Sequence, residues 1–193
     1  MIGYNCKYAP VEILAGFGEK YQLINNEVQN FDYASSKLHP NMCSHAKAML
    51  EEIHTEKYSE LLFMNCCDSS RRIFDSSKDE NIHFSYCIDL PFCNNYCAVE
   101  KFKDDIINFI NAYEKHREKS FDKALFLSAF KEKQELPKGK FIAILGARSS
   151  KTLIDVAANC FNDTEILDLT CANNREVNPI DAQPDETLEK YYA

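Results

Sequence analysis

ELLFMNCCDSSRR, residues 60–72, carries an apolar segment directly through two cysteines into a segment with helical spacing. Leu61 to Met64 form a short apolar run with strand character, and the helical spacing begins at Ser69. A parallel strand that continues into a helix delivers its carboxyl end to the crevice where α/β proteins bind ligands. Cys66 and Cys67 therefore occupy the best functional position that the sequence offers.

Strands and helices alternate along the rest of the chain. Strands are predicted at Tyr21 to Ile24, Glu60 to Met64, Ile82 to Ile88, Phe141 to Leu145 and Glu165 to Leu169. Helical spacing is present at Val11 to Gly16, Met42 to His54, Ser69 to Ser76, Cys97 to Phe130 with a break near Ser120, and Lys151 to Ala158. This alternation predicts an α/β fold with a parallel sheet flanked by helices.

A polar connector divides the chain into two predicted units. Residues 131–140 combine a proline, a glycine and several charges, as connectors between domains do. We therefore predict an N-terminal α/β domain at 1–130, a linker at 131–140 and the start of a second, similar α/β domain at 141–193. The second unit holds a strand, a helix, a strand and a capped helical segment at 185–193. We expect it to be truncated, because an uncovered half-sheet would expose an edge.

Composition and charge exclude several classes of partner. The chain has 193 residues, 45% of them hydrophobic, and a formal net charge of -8. A nucleic-acid surface would need clustered Lys and Arg to replace phosphate counterions, so nucleic acid is not an expected partner. No apolar run approaches the roughly 20 residues of a transmembrane helix, and the start lacks the features of a signal peptide. We expect a cytoplasmic protein with no membrane partner.

Nine cysteines are the residues most able to carry chemistry. Their odd number and irregular spacing favour reduced thiols or metal ligands over a secreted disulfide framework. Cys66 and Cys67 precede a helix, whose N–H groups and dipole lower a thiol pKa from about 8.5 and favour the metal-binding thiolate. The alternative is that the cysteines are small hydrophobic residues of the core.

Other thiol-bearing segments are expected at the same rim of the sheet. Cys87, Cys93 and Cys97 surround the next strand end, and Cys6 and Cys43 lie in or beside loops that precede helices. No Cys-x-x-Cys pair and no paired histidine occurs, so the thiols favour iron–sulfur chemistry over zinc.

Glu12 is the candidate acid or base. It lies inside the apolar helical segment from Val11 to Ala15, and a carboxylate on a mostly buried helix needs a partner or a task. The alternative is a first-turn glutamate that the helix dipole favours.

Several successive segments resemble the D-component family of 2-hydroxyacyl-CoA dehydratases, which also includes benzoyl-CoA reductase subunits and double-cubane cluster proteins. Residues 2–13, IGYNCKYAPVEI, resemble its G-Y-x-C-x-Y-x-P-x-E opening, and residues 39–44, HPNMCS, resemble its next cysteine segment. Residues 64–75, MNCCDSSRRIFD, are similar to its N-x-C-D-S-x-R-R-x-x-D core. Residues 89–102 and 169–175 resemble its later proline turn and its D-L-T-C-x-x-x-R segment.

The resemblance implies Rossmann-like domains around an iron–sulfur cluster held by cysteines, either 4Fe-4S or, in the reductase branch, double-cubane. It implies Cys67 as the best-matched ligand, with Cys97 or Cys93 as a second. Cys66 is either a packing residue or a ligand peculiar to the reductase branch. The predicted metal ligands are Cys67, Cys97, Cys43 and Cys6.

The activity that the resemblance implies is elimination of water from an (R)-2-hydroxyacyl-CoA by a one-electron, ketyl-radical route. The implied partners are the acyl-CoA substrate, an ATP-hydrolysing activator protein, and a homologous subunit or a second copy that completes a dimer. Glu12 is then the expected acid or base beside the substrate. A double-cubane-type ATP-dependent reductase is one alternative. A truncated, non-catalytic fragment whose cysteines only pack is the other.

Overall fold

A computed structural model describes residues 1–24, 28–93, 95–130, 139–146, 149 and 151–170 of the chain. The strands are β1 (Ile2–Tyr4), β2 (Tyr21–Leu23), β3 (Glu60–Asn65), β4 (Phe84–Asp89), β5 (Phe141–Gly146) and β6 (Glu165–Thr170). The α-helices are α1 (Val11–Gly16), α2 (Asp32–Lys37), α3 (Ser44–His54), α4 (Asp68–Ser76), α5 (Tyr96–Arg117), α6 (Lys123–Ser128) and α7 (Lys151–Cys160), and a 3₁₀ turn covers Ser77–Asp79. The α/β fold class is confirmed.

The first four strands form one parallel sheet in the order β2-β1-β3-β4. From β1 the chain crosses to β2 at one edge, whereas from β3 it crosses to β4 at the other edge. The order therefore reverses between β1 and β3, which are neighbours in the sheet. In open α/β sheets ligands bind in the crevice outside the carboxyl ends of the strands at such a switch point. The loops that follow β1 and β3 are therefore the expected place of a ligand site.

Strand β3 is buried on both faces, and this explains its continuous apolar sequence. Its side chains alternate between two cores, as the period of a strand requires. Leu62 and Met64 pack with residues of α1, α5 and α6, whereas Leu61 and Phe63 pack with residues of α2, α3 and α4. The helices on the two faces hold β3 in the centre of the domain and so fix the position of its carboxyl end.

The second sheet pairs β5 with β6 in parallel, from Phe141 opposite Glu165 to Gly146 opposite Thr170. Helix α7 connects the two strands. The strand, helix, strand order expected after the connector is therefore present. Residues 131–138 of the linker predicted at 131–140, and the predicted helical segment at 185–193, lie outside the described residues.

The sequence patterns missed β1 and α2. Strand β1 has three residues with a glycine in the middle, so it offers neither a long apolar run nor alternation. Gly3 is required there because a Cβ atom on it would lie 2.9 Å from the Tyr58 ring. The expected break near Ser120 is confirmed, since α5 ends at Arg117 and Glu118 adopts a left-handed conformation with φ 51°.

Within the described residues, none of the helices combines the length and the apolar character that crossing a membrane requires.

Candidate functional site

Three cysteines meet at the switch point of the four-stranded sheet. Cys6 comes two residues after the end of β1, and Cys66 and Cys67 follow the end of β3 directly. Since β1 and β3 are neighbouring parallel strands, both loops leave the same edge of the sheet. Cys6 is buried, whereas Cys66 and Cys67 are exposed, and the Cys6 thiol is hydrogen-bonded to Cys66. We call these three residues the thiol cluster.

The Ser70 hydroxyl is the common contact of the two adjacent cysteines. Its oxygen lies 3.3 Å from Cys66 Sγ and 3.5 Å from Cys67 Sγ. Ser70 is buried in the first turn of α4, and its own position is fixed by Asn5 Nδ2, which donates to Ser70 Oγ at 3.2 Å. One hydroxyl group therefore ties the loop after β3 to the loop after β1.

Asn5 continues the pairing of β1 with β3 beyond the last strand residue. Its Nδ2 donates to the Met64 carbonyl oxygen at 3.0 Å, and the Met64 N–H donates to Asn5 Oδ1 at 2.8 Å. Asn5 is 6% exposed, so these bonds are shielded from water. They set the separation of the two strand ends that carry the thiol cluster.

Cys67 caps the N-terminus of α4, as the sequence predicts for a cysteine at this position. Its sulfur accepts a hydrogen bond from the Ser70 N–H at 3.4 Å. A cap of this kind satisfies one of the helix N–H groups that have no partner inside the helix. The Cys67 thiol group therefore faces the positive end of the α4 dipole.

The lowered pKa in the cluster belongs to Cys66. Hydrogen bonding from the Cys6 thiol, with further hydrogen bonds from Ser70 and Cys67, lowers the pKa of Cys66 to about 6, although desolvation opposes the change. The half-buried thiol of Cys87, on β4, behaves in the opposite way. Burial, with Asp89 nearby, raises its pKa to about 11. The two shifts therefore favour the thiolate form at Cys66 and the neutral thiol at Cys87.

The other predicted ligands, Cys43 and Cys97, lie at the N-terminal ends of two other helices, α3 and α5. Cys43, the residue before α3, is exposed and approaches Ser69 with an Sγ to Oγ distance of 3.8 Å, one residue from the cluster's serine. Cys97 is exposed in the first turn of α5. The three thiols of the cluster contact one another or the same serine, whereas Cys43 contacts Ser69 of the adjoining helix turn. Within the described residues no such contact joins Cys97 to them.

For a single metal ion, the described parts of the chain contain no ready group of three or more His, Cys, Asp or Glu side chains. Such a group must converge closely, because a zinc–sulfur bond is about 2.3 Å long. The thiol cluster is therefore a set of neighbouring soft donors and not a closed single-ion site. Its donor chemistry, thiols without histidine, fits an iron–sulfur cluster better than zinc.

A small cavity lies beside the cluster, at the carboxyl ends of β3 and β4. Its volume is about 180 Å³, and its lining includes Asn65, Leu90, Phe102 and Asp105. The polar part of the lining is ordered by hydrogen bonds, since Asn65 Nδ2 donates to Asp89 Oδ1 at 2.7 Å and the Asp89 N–H donates to Asp105 Oδ2 at 2.8 Å. Asn65 lines this cavity and directly precedes Cys66 in the sequence.

Glu12 lies in the first turn of α1 and is 6% exposed. Helix α1 follows the loop that holds Cys6, so the helix of Glu12 begins at the same edge of the sheet as the thiol cluster. Its predicted role as an acid or base stays a prediction.

Asn5 and Ser70 are the site residues that the sequence reasoning missed. Asn5 directly precedes Cys6, and Ser70 lies three residues after Cys67, the spacing at which an N-cap side chain meets the first turn of its helix. That spacing was the available signal. Neither residue type is a metal ligand of the expected kind, so a prediction based on thiols does not include them.

A doubly wound parallel sheet with soft donors grouped at its switch point defines an α/β protein with a candidate metal or ligand site. Comparison with protein families is more specific. The family described as 2-hydroxyglutaryl-CoA dehydratase, D-component, matches residues 6–175, and the chain belongs to this family. Membership makes it a 2-hydroxyacyl-CoA dehydratase-like component and implies a dehydratase system of several subunits. No curated protein matches the chain.

Proposed function

We propose that this chain is an iron–sulfur subunit of a 2-hydroxyacyl-CoA dehydratase-like enzyme that eliminates water from an (R)-2-hydroxyacyl-CoA. The observation that carries the proposal is the meeting of Cys6 with Cys66 and Cys67 at the switch point of the sheet. Thiolates gathered from two strand ends, with no histidine among them, are the donors that iron–sulfur clusters use. Family membership supports the same reaction class.

Within this proposal Cys67 and Cys6 are the principal ligands, and Cys43 or Cys97 is the third, which leaves one iron of a four-iron cluster without a cysteine. The bound cluster would supply a low-potential electron and an iron position for the substrate oxygen. The chain itself orients the thiol groups, because Asn5 pairs the two strand ends and the α4 N-terminus holds Cys67.

The cavity beside the cluster is the proposed place of the acyl group. Leu90, Pro91 and Phe102 give it an apolar wall, and at its edge Lys101 Nζ lies 3.9 Å from Asp89 Oδ2. Drug-sized ligands occupy pockets of about 300–1,000 Å³. A volume of about 180 Å³ therefore suits the acyl end of the substrate and not the whole CoA thioester. In this arrangement Glu12 is the proposed acid or base.

The proposed partners follow from the same reaction. The cluster must be charged with an electron, which we assign to an ATP-hydrolysing activator protein. A homologous subunit or a second copy of the chain is proposed to complete the substrate site. The cytoplasm is the proposed location.

Anaerobic reconstitution of the full chain with iron and sulfide tests the proposal. We expect bound iron and sulfide with a cluster absorbance and a Mössbauer signal. Cys67→Ser should lose most of the iron, whereas Cys160→Ser, an exposed cysteine at the end of α7, should retain it. A chain that binds no iron, or equal iron in the Cys67→Ser variant, would overturn the proposal. More iron and sulfide than one four-iron cluster holds would favour the double-cubane reductase.

A further inference from the structure

The cavity beside the thiol cluster is lined by charged side chains as well as by an apolar wall. The lining includes two aspartates, Asp89 and Asp105, and one lysine, Lys101. Asp89 is the last residue of β4, and the other two lie one turn apart on α5. The formal charge of the lining is therefore negative.

Donor groups of the lining are already directed to these two carboxylates. Asn65 Nδ2 donates to Asp89 Oδ1 at 2.7 Å, and the Asp89 N–H donates to Asp105 Oδ2 at 2.8 Å. Lys101 Nζ lies 3.9 Å from Asp89 Oδ2. A carboxylate on a bound acyl group would have to compete with a carboxylate of the protein for these donors.

The N-terminus of α5 does not reverse this balance. Ala98, in the first turn of α5, belongs to the lining, and its N–H donates to Asn95 Oδ1 at 2.9 Å. The positive end of a helix dipole is equivalent to about half an elementary charge. That is less than the net negative charge of the lining, and the Asn95 cap already uses one of the N–H groups that carry it.

Tyr86, on β4, experiences the same negative potential. Its Oη lies 3.3 Å from Asp105 Oδ1. Burial, and then the charge of Asp105, raises the pKa of Tyr86 to about 12. A carboxylate on a ligand in the cavity would meet the same repulsion and would also lose water against Leu90 and Phe102.

We infer that the cavity selects acyl groups whose far end is uncharged and rejects those that carry a second carboxylate, and that Asp89 is the specificity-determining residue. Asp89 has this role because it holds both the Asn65 amide and the Lys101 ammonium group. The inference rests on the proposed function, since it names the substrate class of the same site. It separates this chain from the substrate in the family's description, because a glutaryl group carries a second carboxylate.

The first test follows the binding of two small probes to the full chain without metal by NMR. Pentanamide and glutaramate share one carbon chain and carry an amide in place of the thioester, but only glutaramate ends in a carboxylate. We expect pentanamide to shift the signals of the Asn65 side-chain amide and the Ala98 N–H. Glutaramate should bind at least about tenfold more weakly. Equal or tighter binding of glutaramate would overturn the inference, as would the absence of shifts with pentanamide up to its solubility.

The second test repeats both titrations with Asp89→Asn. The variant keeps an oxygen that can accept from Asn65 but loses the charge, so Lys101 becomes available to a ligand carboxylate. We expect glutaramate binding to come within about threefold of pentanamide binding, which should itself be unchanged. Asp104→Asn is the matched control, because Asp104 is exposed on α5 and does not belong to the described lining of the cavity. An unchanged ratio in Asp89→Asn would overturn the role of Asp89.

Urea unfolding of both variants checks that the fold is kept, and the comparison of probes in the wild-type chain does not depend on it. The iron content of the reconstituted chain is measured separately from probe binding. A chain that binds iron but prefers glutaramate would overturn only this inference, whereas a chain that binds no iron would remove the proposed function whichever probe binds.

Discussion

Asn5 and Met64 form a two-bond pair between a side-chain amide and a backbone peptide, with Nδ2 to O at 3.0 Å and N to Oδ1 at 2.8 Å. The pair replaces the next rung of the β1–β3 ladder, where β1 has already ended. It lies directly beneath the thiol cluster, because Cys6 follows Asn5 and Cys66 follows two residues after Met64. The Asn5 amide therefore helps to fix the spacing of the thiols, together with the β1–β3 ladder and Ser70.

Replacement of Asn5 by Asp should destabilise the chain. The Asp carboxylate cannot donate to the Met64 carbonyl oxygen and would place an unpaired charge in a buried position. We expect the free energy of unfolding in urea to fall by about 2–4 kcal/mol. Asn111→Asp, on the exposed side of α5, is the control, and its effect should stay within about 0.5 kcal/mol. Equal losses in the two variants would contradict the bracing role.

Gly3→Ala tests the close packing of the Tyr58 ring against β1. The added Cβ would meet the Tyr58 ring at 2.9 Å and Ile24 at 3.2 Å, and Tyr58 is 1% exposed and cannot move aside. Overpacking of this kind costs about 1–3 kcal/mol. Gly139→Ala meets nothing within 4 Å and should cost less than about 0.5 kcal/mol. Thermal unfolding followed by circular dichroism measures both, and an unchanged midpoint for Gly3→Ala would be the contrary result.

Tyr113→Phe tests the buried network at the opposite end of β3. Glu60 there accepts hydrogen bonds from Tyr113 Oη at 2.6 Å and from Arg117 Nη1 at 3.2 Å, and His116 Nε2 lies 2.9 Å from it. Hydrogen bonds to a charged group contribute about 1.5–3 kcal/mol, and we expect a loss of that size in urea unfolding.

Tyr86→Phe is the matched control for that change. Tyr86 Oη reaches Asp105 only at 3.3 Å, so its hydroxyl group should contribute less than about 1 kcal/mol. Because Glu60 lies at the amino end of β3, neither variant should change the iron content. Loss of iron in Tyr113→Phe without unfolding would contradict this separation of stability and site.

The pH dependence of alkylation should distinguish Cys66 from Cys87 in the chain without metal. Only a thiolate reacts, so the rate for Cys66 should rise with a midpoint near its pKa of about 6. The rate for Cys87 should remain low until the pH approaches about 11. Mass spectrometry of iodoacetamide-labelled peptides measures both rates. Two curves with the same midpoint, near the ordinary thiol value of about 8.5, would contradict the assignment.

The same two shifts predict opposite effects of pH on stability. The pKa of Cys66 is lowered in the folded chain, so its contribution is complete above about pH 8.5 and is lost as the pH falls through about 6. The pKa of Cys87 is raised, so its contribution is complete below about pH 8.5 and is lost as the pH rises through about 11. Urea unfolding of Cys66→Ser should therefore differ more from the wild type at alkaline than at acid pH. A constant difference would contradict the coupling.

Local sequence motifs predicted the family, and the family comparison over residues 6–175 confirms it. The strands β2 to β6 and most helices were also predicted, because apolar runs and helical spacing are local properties. Strand β1 was not predicted, because its stability comes from two neighbouring strands and from the Tyr58 ring packed over Gly3. Residues 171–175 of the last family segment, 169–175, and residues 131–138 of the predicted linker, 131–140, lie outside the described residues.

By itself the sequence determined the α/β class, the family and the position of Cys66 and Cys67 between a strand and a helix. Only the tertiary structure decided that Cys6 joins them, because β1 inserts beside β3 although nearly sixty residues separate the two segments. It also decided that Asn5 and Ser70 hold the thiol cluster in place. The physical reason is that a motif records which residue types a short segment carries, whereas the separation of two loops depends on the order of strands in the sheet.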